Sequence, residues 1–295
     1  MRNIAFGVWQ DRRAQAVGTR PRSQALCQVL VLAALLALPG TAGADETATK
    51  AQGLKVQLLP GYLPQAQLPN SLALLPPPPA ANSAAFAEDK EASTNSLALR
   101  GTPRWAEATQ DANLMFPAVA GTFSCAVQAP ISEKLTPTLY RLLRRSLTDA
   151  GLATYSAKNK YSRPRPFATN GAPICTPEIQ EALTKDGSYP SGHTAIGWAW
   201  ALILTEIAPD RANAILARGR AFGESRVVCN VHWLTDVEEG RFVGAATVAS
   251  LHADPNFVAD VAQAKRELAA VRAHHLAPIR DCAAETAAMA EHFSE

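Results

Sequence analysis

Gly187-Ser188-Tyr189-Pro190-Ser191-Gly192-His193-Thr194 runs straight into the apolar stretch Ala195 to Leu204. Ser191 has the residue type of a helix N-cap, and its hydroxyl also suits an anion. Gly192 lets backbone approach a ligand closely. Free N–H groups and the helix dipole favour negative charge at this spot. His193 then adds a group able to transfer a proton near neutral pH. Taken alone, the stretch is a well-capped helix carrying a polar histidine, predicted to start at Ser191 and end near Pro209.

The pattern on either side is helical as well. Thr136-Pro137 reads as a cap with proline at the first helical position, and Gly151 as a stop. Between them Leu139, Leu142, Leu143 and Leu147 share one face. A further segment runs to Pro164. Asp210–Gly223 is expected to place Ile215, Leu216 and Phe222 inward, and Thr235–His252 forms another helix. Asp254-Pro255 opens a last one, with Phe257, Val258, Val261, Leu268 and Val271 on one side. No run of alternating strands and no internal repeat is found. The expected class is all-α, a compact single-domain helical bundle. Residues 71–275 form the domain and 276–295 a tail that wraps back; 45–70 read as a flexible linker. Pro76-Pro77-Pro78-Pro79 is expected to be an extended N-terminal strap.

The 295 residues are 47% hydrophobic and 18% charged, enough apolar material for a sizeable core. Residues 1–44 hold five arginines and one acid, which leaves 23 basic and 25 acidic residues elsewhere. The basic balance therefore comes from the leader, and the body has no charge excess suited to nucleic acid. A basic segment, the apolar run Val29 to Leu38, Pro39-Gly40 and the small Ala42-Gly43-Ala44 predict a signal peptide at 1–44. Ala195–Leu204 and Phe242–Leu251 are about half what a bilayer needs, so no span is expected after cleavage. The expected location is periplasmic or secreted, where disulfides form. Cys125, Cys175, Cys229 and Cys282 remain and allow three pairings. Cys175 with Cys229 is preferred, because each lies near one of the polar clusters.

Two further clusters complete the first. Lys158 is followed after six residues by Arg165-Pro166, a mobile point charge beside a planar fork that matches phosphate oxygens. Arg163-Pro164 competes for the arginine role. Ser225-Arg226, His232 and Asp236 form the last cluster; at i,i+4 in a helix the histidine and the carboxylate share a face. A carboxylate on one imidazole nitrogen fixes the tautomer and leaves the other nitrogen as nucleophile. Thr235 and Glu238 suit a capping box that would put His232 in the preceding turn and weaken the helical-spacing argument. Together the three clusters supply cationic clamps, a nucleophile, its orienter and an acid, the parts of a phosphoryl-transfer site. His252, His274, His275 and His292 show no metal-ligand spacing, so neither a metal nor another cofactor is expected.

These residues resemble the type 2 phosphatidic acid phosphatase superfamily, whose signature is K-x6-RP, then PSGH, then SR-x5-H-x3-D. Within it, Leu75 to Pro79, Asp111-Ala112-Asn113-Leu114, Gly187 to Thr194 and Ile196-Gly197-Trp198 resemble the class A bacterial non-specific acid phosphatases. The likeness covers roughly residues 72–270; Arg163-Pro164, Cys125 and Cys282 depart from the pattern. The resemblance implies an exported acid phosphatase that acts on phosphomonoesters through a phosphohistidine. His232 would attack phosphorus, Asp236 would orient it, and His193 would protonate the leaving oxygen. Lys158, Arg165, Arg226, Ser191 and Gly192 would hold the phosphate oxygens. The rival readings are a vanadium-dependent haloperoxidase, a lipid phosphatase and a non-catalytic periplasmic phosphate-binding protein. The expected partners are small phosphomonoesters; a homo-oligomer is left open.

Overall fold

The computed structural model describes residues 58–292, and the leader reading falls outside them. Among the described residues there is no β-strand. The α-helices are α1 (Ser71–Leu74), α2 (Ala84–Ser96), α3 (Pro103–Asp111), α4 (Ser124–Val127), α5 (Pro137–Ala153), α6 (Tyr155–Tyr161) and α7 (Pro166–Asn170). They continue with α8 (Gln180–Thr184), α9 (Gly192–Ile207), α10 (Ala212–Val228), α11 (Leu234–Leu251), α12 (Pro255–Ala273) and α13 (Cys282–Met289).

The apolar run after Thr194 becomes the centre of the bundle. α9 is hydrophobic almost all round, as a helix covered on every side must be, and α10, α11, α5 and α12 pack against it. Ser191 caps it, its Oγ accepting from Thr194 N at 3.3 Å. Trp200 is fully buried and donates Nε1–H to Leu143 O at 3.0 Å, which ties α9 to α5. The crossings are close because glycines face each other's helices. A Cβ on Gly240 would lie 2.6 Å from Ser191 O, and one on Gly244 2.5 Å from Ala195 O. Either substitution forces the helices apart, an overpacking cost of roughly 1–3 kcal/mol. The result that matters here is that the starts of α9 and α11 and the end of α10 meet at one end of the bundle.

Several local expectations are corrected. Thr136 occupies the N-cap of α5, but its hydroxyl bonds within the preceding turn, accepting from Ser132 N at 3.1 Å. The free N–H groups of α5 go instead to Glu267 of α12, whose Oε2 accepts from Thr138 N at 2.9 Å and Leu139 N at 3.1 Å. Gly151 does not stop α5, which runs on to Ala153. α10 likewise passes through Gly223 to Val228, because that glycine serves helix packing; its Cβ would meet Thr194 Cγ2 at 2.8 Å. Val258 is exposed while Phe257, Val261, Leu268 and Val271 are buried, since one residue further along turns it about 100° away from the core. α12 is not the last helix: α13 follows, and Cys282 returns to Cys125 of α4 through a disulfide.

The N-terminal side of the domain is anchored upstream of residue 71. Tyr62 is buried, its N–H donates to Asp149 Oδ2 at 2.8 Å, and its hydroxyl donates to Asp260 Oδ2 at 2.7 Å. A Cβ on Gly61 would strike Asp149 Oδ1 at 2.2 Å, so only glycine lets the chain pass. Pro76 O accepts from Tyr189 Oη at 2.8 Å, which puts the start of the proline strap against the loop before α9.

Candidate active site

Each of the three clusters ends on the same end of the bundle. His232 and Asp236 meet, but not as an i,i+4 pair on a helix. α11 begins at Leu234, and His232 lies in the turn before it. Asp236 Oδ2 accepts from Trp233 N at 2.8 Å, closing the helix start, and also faces His232 Nδ1 at 3.3 Å. The cap therefore involves Trp233 and Asp236 rather than Thr235 and Glu238. On the other ring nitrogen, Arg165 Nη1 lies 3.1 Å from His232 Nε2. A guanidinium only donates, so Nε2 is the acceptor and the ring proton sits on Nδ1, toward Asp236.

Lys158, on α6, and Arg165, at the N-cap of α7, converge here. Arg165 donates Nε–H to Leu183 O and Asp186 O, Nη1–H to Val231 O at 2.9 Å, and Nη2–H to Asp186 Oδ2 at 2.9 Å. Lys158 donates to Gly187 O at 2.5 Å and Asp186 Oδ2 at 3.3 Å. Both cations are almost fully buried. Burial lowers the Lys158 pKa to about 8, with Asp186 acting against it and Arg165 alongside.

Arg226, at the end of α10, completes the cations. It is 1% exposed, yet its Nε and Nη1 have no hydrogen-bond partner among the described residues. Burial and then the neighbouring Arg165 lower its pKa to about 9. Buried N–H groups left in this way are costly unless an anion satisfies them. Gly192 lies beside the clamp: a Cβ there would come no nearer than 3.6 Å to Thr154 Oγ1 and 3.8 Å to Lys158 Cε. Protein packing thus does not demand glycine at this position.

His193 projects from the first turn of α9, half-buried, with Nε2 3.1 Å from Ala112 O. A carbonyl accepts, so the proton of the neutral ring sits on Nε2 and Nδ1 is left open. Burial first, then Arg226, hold its pKa well below the ordinary histidine value. His232 is pushed well below its ordinary value as well, by burial and then Arg165 and Lys158. In both rings burial and neighbouring cations oppose protonation.

Groups outside the clamp support it. Arg163 does not join the clamp; it turns behind Asp236, donating Nη1–H to Asp236 Oδ1 at 2.7 Å and Nη2–H to Asp89 Oδ2 at 2.6 Å. Asp89, on α2, also accepts from Thr235 N at 2.8 Å. Ser225, although next to Arg226, donates to Asp111 Oδ2 at 2.6 Å. The end of α3 thereby holds the last turn of α10 through Asp111 and His193 through Ala112. A buried network of Arg218, Glu107 and Asp111 fixes α3 from the far side. Disulfide Cys175–Cys229 pins the turn ahead of His232, where Asn230 O accepts from Phe167 N at 3.2 Å. Among the described residues no three His, Cys, Asp or Glu side chains converge as a metal site requires.

Comparison with known proteins gives the family. The PAP2 superfamily pattern matches residues 142–258, a span that includes every residue of the three clusters. The chain is 47% identical over 212 residues to a non-specific acid phosphatase of Providencia stuartii, covering 72% of this chain and 86% of that protein. It is 44% identical over 200 residues to a non-specific acid phosphatase of Salmonella typhimurium, covering 68% and 80%. An acid phosphatase of Zymomonas mobilis is 42% identical over 201 residues, covering 68% and 76%.

Proposed function

We infer the function of this chain from the family to which it belongs, the non-specific acid phosphatases of the PAP2 superfamily: it is an acid phosphatase that hydrolyses phosphomonoesters. The observation that carries the reading to its residues is the lone pair of His232 Nε2 set 3.1 Å from a buried arginine of the cation clamp. A nucleophile in that position meets whatever anion the clamp holds.

In the proposed reaction, Lys158, Arg165, Arg226, Ser191 and the backbone at Gly192 hold the phosphate oxygens. His232 Nε2 attacks phosphorus in line with the ester oxygen, and a P–N bond forms as the P–O bond breaks. Asp236 stabilises the positive charge that grows on the ring through Nδ1–H. His193, once protonated at Nδ1 in the phosphate-bound state, gives that proton to the departing oxygen, then takes one from the water that cleaves the phosphohistidine. The phosphate dianion raises the proton affinity of His193 when it binds, since it offsets the cations that depress it. The cation-rich surroundings oppose protonation of His232 and so favour its nucleophilic form.

Export belongs to the same proposal. The leader at 1–44 and the two disulfides, Cys125–Cys282 and Cys175–Cys229, fit an oxidising, non-cytoplasmic compartment such as the periplasm. No helix among the described residues is long and apolar enough to cross a membrane. N-terminal sequencing of the secreted form is expected to begin at or near Asp45; an intact Met1 on a membrane-bound mature form overturns the export reading.

The chemistry is tested by rapid acid-free quenching with radiolabelled aryl phosphate. An acid-labile phosphoryl group on His232, absent from His232→Ala along with turnover, is the expected result. Label on Ser191 instead, or activity lost on chelation and restored by a divalent ion, counts against the assignment.

A further inference from the structure

Asp186 stands in the clamp that the proposed reaction assigns to phosphate. Its Oδ2 accepts from Arg165 Nη2 at 2.9 Å and from Lys158 Nζ at 3.3 Å. Nε and Nη1 of Arg165 are committed to carbonyls and to His232, whereas Nη2 has besides Asp186 only a long approach to Gly187 O at 3.4 Å, so Nη2 is the part of that guanidinium left for a ligand. The two cations are 3% and 5% exposed in their side chains, whereas the Asp186 side chain is 37% exposed. The carboxylate thus reaches in from the solvent side to two buried charges. It sits in the turn that links α8 to Gly187, outside any helix.

We propose that Asp186 is a resident anion that occupies part of the phosphate site and is displaced when substrate binds, so that it sets the affinity of the enzyme for phosphate esters and for released phosphate. This rests on the phosphatase reading and goes beyond it. The physical logic is compensation. Two buried cations with no anion are costly, and a carboxylate from a surface turn satisfies them in the free enzyme. A phosphate oxygen makes the same contacts with more charge, and the exposed side chain has solvent to move into. Arg226 receives nothing from Asp186 and keeps its open N–H groups, which gives phosphate a contact the carboxylate does not already fill. The exchange weakens net binding, which favours release of inorganic phosphate after each turnover.

A carboxylate that competes and a carboxylate that merely positions Lys158 and Arg165 predict opposite signs. Asp186→Asn and Asp186→Ser, both in a surface turn, are compared with the wild type for competitive inhibition by inorganic phosphate. The assay is run at about pH 5, well below the Lys158 value of about 8, because loss of Asp186 removes a group that raises that value. The expected result is a phosphate inhibition constant lowered by roughly three- to thirtyfold, the weight of one charge-assisted contact at a partly exposed group. A larger phosphate-induced rise in melting temperature in both variants is expected alongside. An unchanged or raised constant overturns the proposal and makes Asp186 a positioning residue. A wild-type protein that neither hydrolyses phosphate esters nor binds phosphate removes the functional reading itself, and this inference with it.

Discussion

Arg163 bridges two carboxylates, with Nη1 2.7 Å from Asp236 Oδ1 and Nη2 2.6 Å from Asp89 Oδ2. Asp236 is fully buried, and burial pushes its pKa up; Arg163 is the largest opposing influence. An arginine alone would cancel the negative charge that His232 needs behind it. The second carboxylate offsets part of the arginine's charge, and the brace fixes Asp236 in place behind His232.

Arg163→Gln is therefore expected to move the acid limb of kcat/KM to higher pH, because Asp236 then takes up a proton more readily as pH falls. The rate on the plateau should drop by about ten- to a hundredfold, equivalent to one charge-assisted hydrogen bond. Asp89→Asn, nearly the same shape, tests the same brace if the arginine variant folds poorly. It should lower kcat and leave phosphate inhibition little changed. A pH profile identical to wild type in both variants contradicts the brace.

Lys158 leads to a prediction at the other end of the pH range. Its pKa is lowered to about 8, so below that pH it carries its charge and above it the clamp loses a cation. The loss should appear in kcat/KM, which reports the free enzyme, and much less in kcat, because bound phosphate restores the charge. Lys158→Arg, a group charged at all accessible pH values, should lose the limb near pH 8 while lowering activity overall through altered geometry. Retention of that limb in Lys158→Arg would assign it to another group.

The two disulfides should separate stability from catalysis. They close separations of 157 residues (Cys125–Cys282) and 54 residues (Cys175–Cys229), and loss of either is expected to cost about 2–5 kcal/mol. Cys229 is followed directly by Asn230, whose side chain bonds Asn170 and Ala172 O, and lies close before His232 in the chain. Paired serine substitution at 175 and 229 should lower kcat at 25 °C as well as the melting temperature. The same change at 125 and 282 should act mainly on melting. Calorimetry and kcat on both double variants decide this; equal kcat losses contradict it.

The sequence carried the candidate site residues further than it carried their supports. Lys158, Arg165, Ser191, Gly192, His193, Arg226, His232 and Asp236 are read from short motifs, because each must present a particular side chain at a particular spacing. Asp89 lies 147 residues before Asp236 in a helix with no motif of its own, and only the fold brings them together. Ala112 contributes a carbonyl, which no side-chain pattern reveals. Arg163 and Arg165 differ by two residues in an irregular segment, where no period decides which one faces the site. The helices were legible from their apolar faces, but glycines misled: Gly151 and Gly223 read as stops and instead lie within helices, Gly223 where α10 crosses α9. The stretch around Tyr62 reads as linker because its anchors, Asp149 and Asp260, are distant in sequence.

The division of labour between the histidines is open to a kinetic test. An alkoxide leaves poorly and needs a proton as the P–O bond breaks, whereas a nitrophenolate leaves well without one. General acid help is worth about a hundred- to ten-thousandfold, and it falls on the step in which the leaving group departs. His193 has Nε2 committed to Ala112 O and Nδ1 open, so a single nitrogen serves the proton transfer. His193→Asn should cripple phosphohistidine formation from alkyl phosphates such as sugar phosphates and slow it much less with nitrophenyl phosphate. Steady-state turnover can mask the contrast, because in the proposed reaction His193 also activates water in the second step. The measurement is therefore the pre-steady-state rate of phosphohistidine formation with both esters. The mutant-to-wild-type ratio should be far smaller for the alkyl ester, while His232→Ala removes both alike. Equal losses for the two esters in His193→Asn would make His193 a phosphate-binding group, and the acid would then have to be another residue facing the ester oxygen.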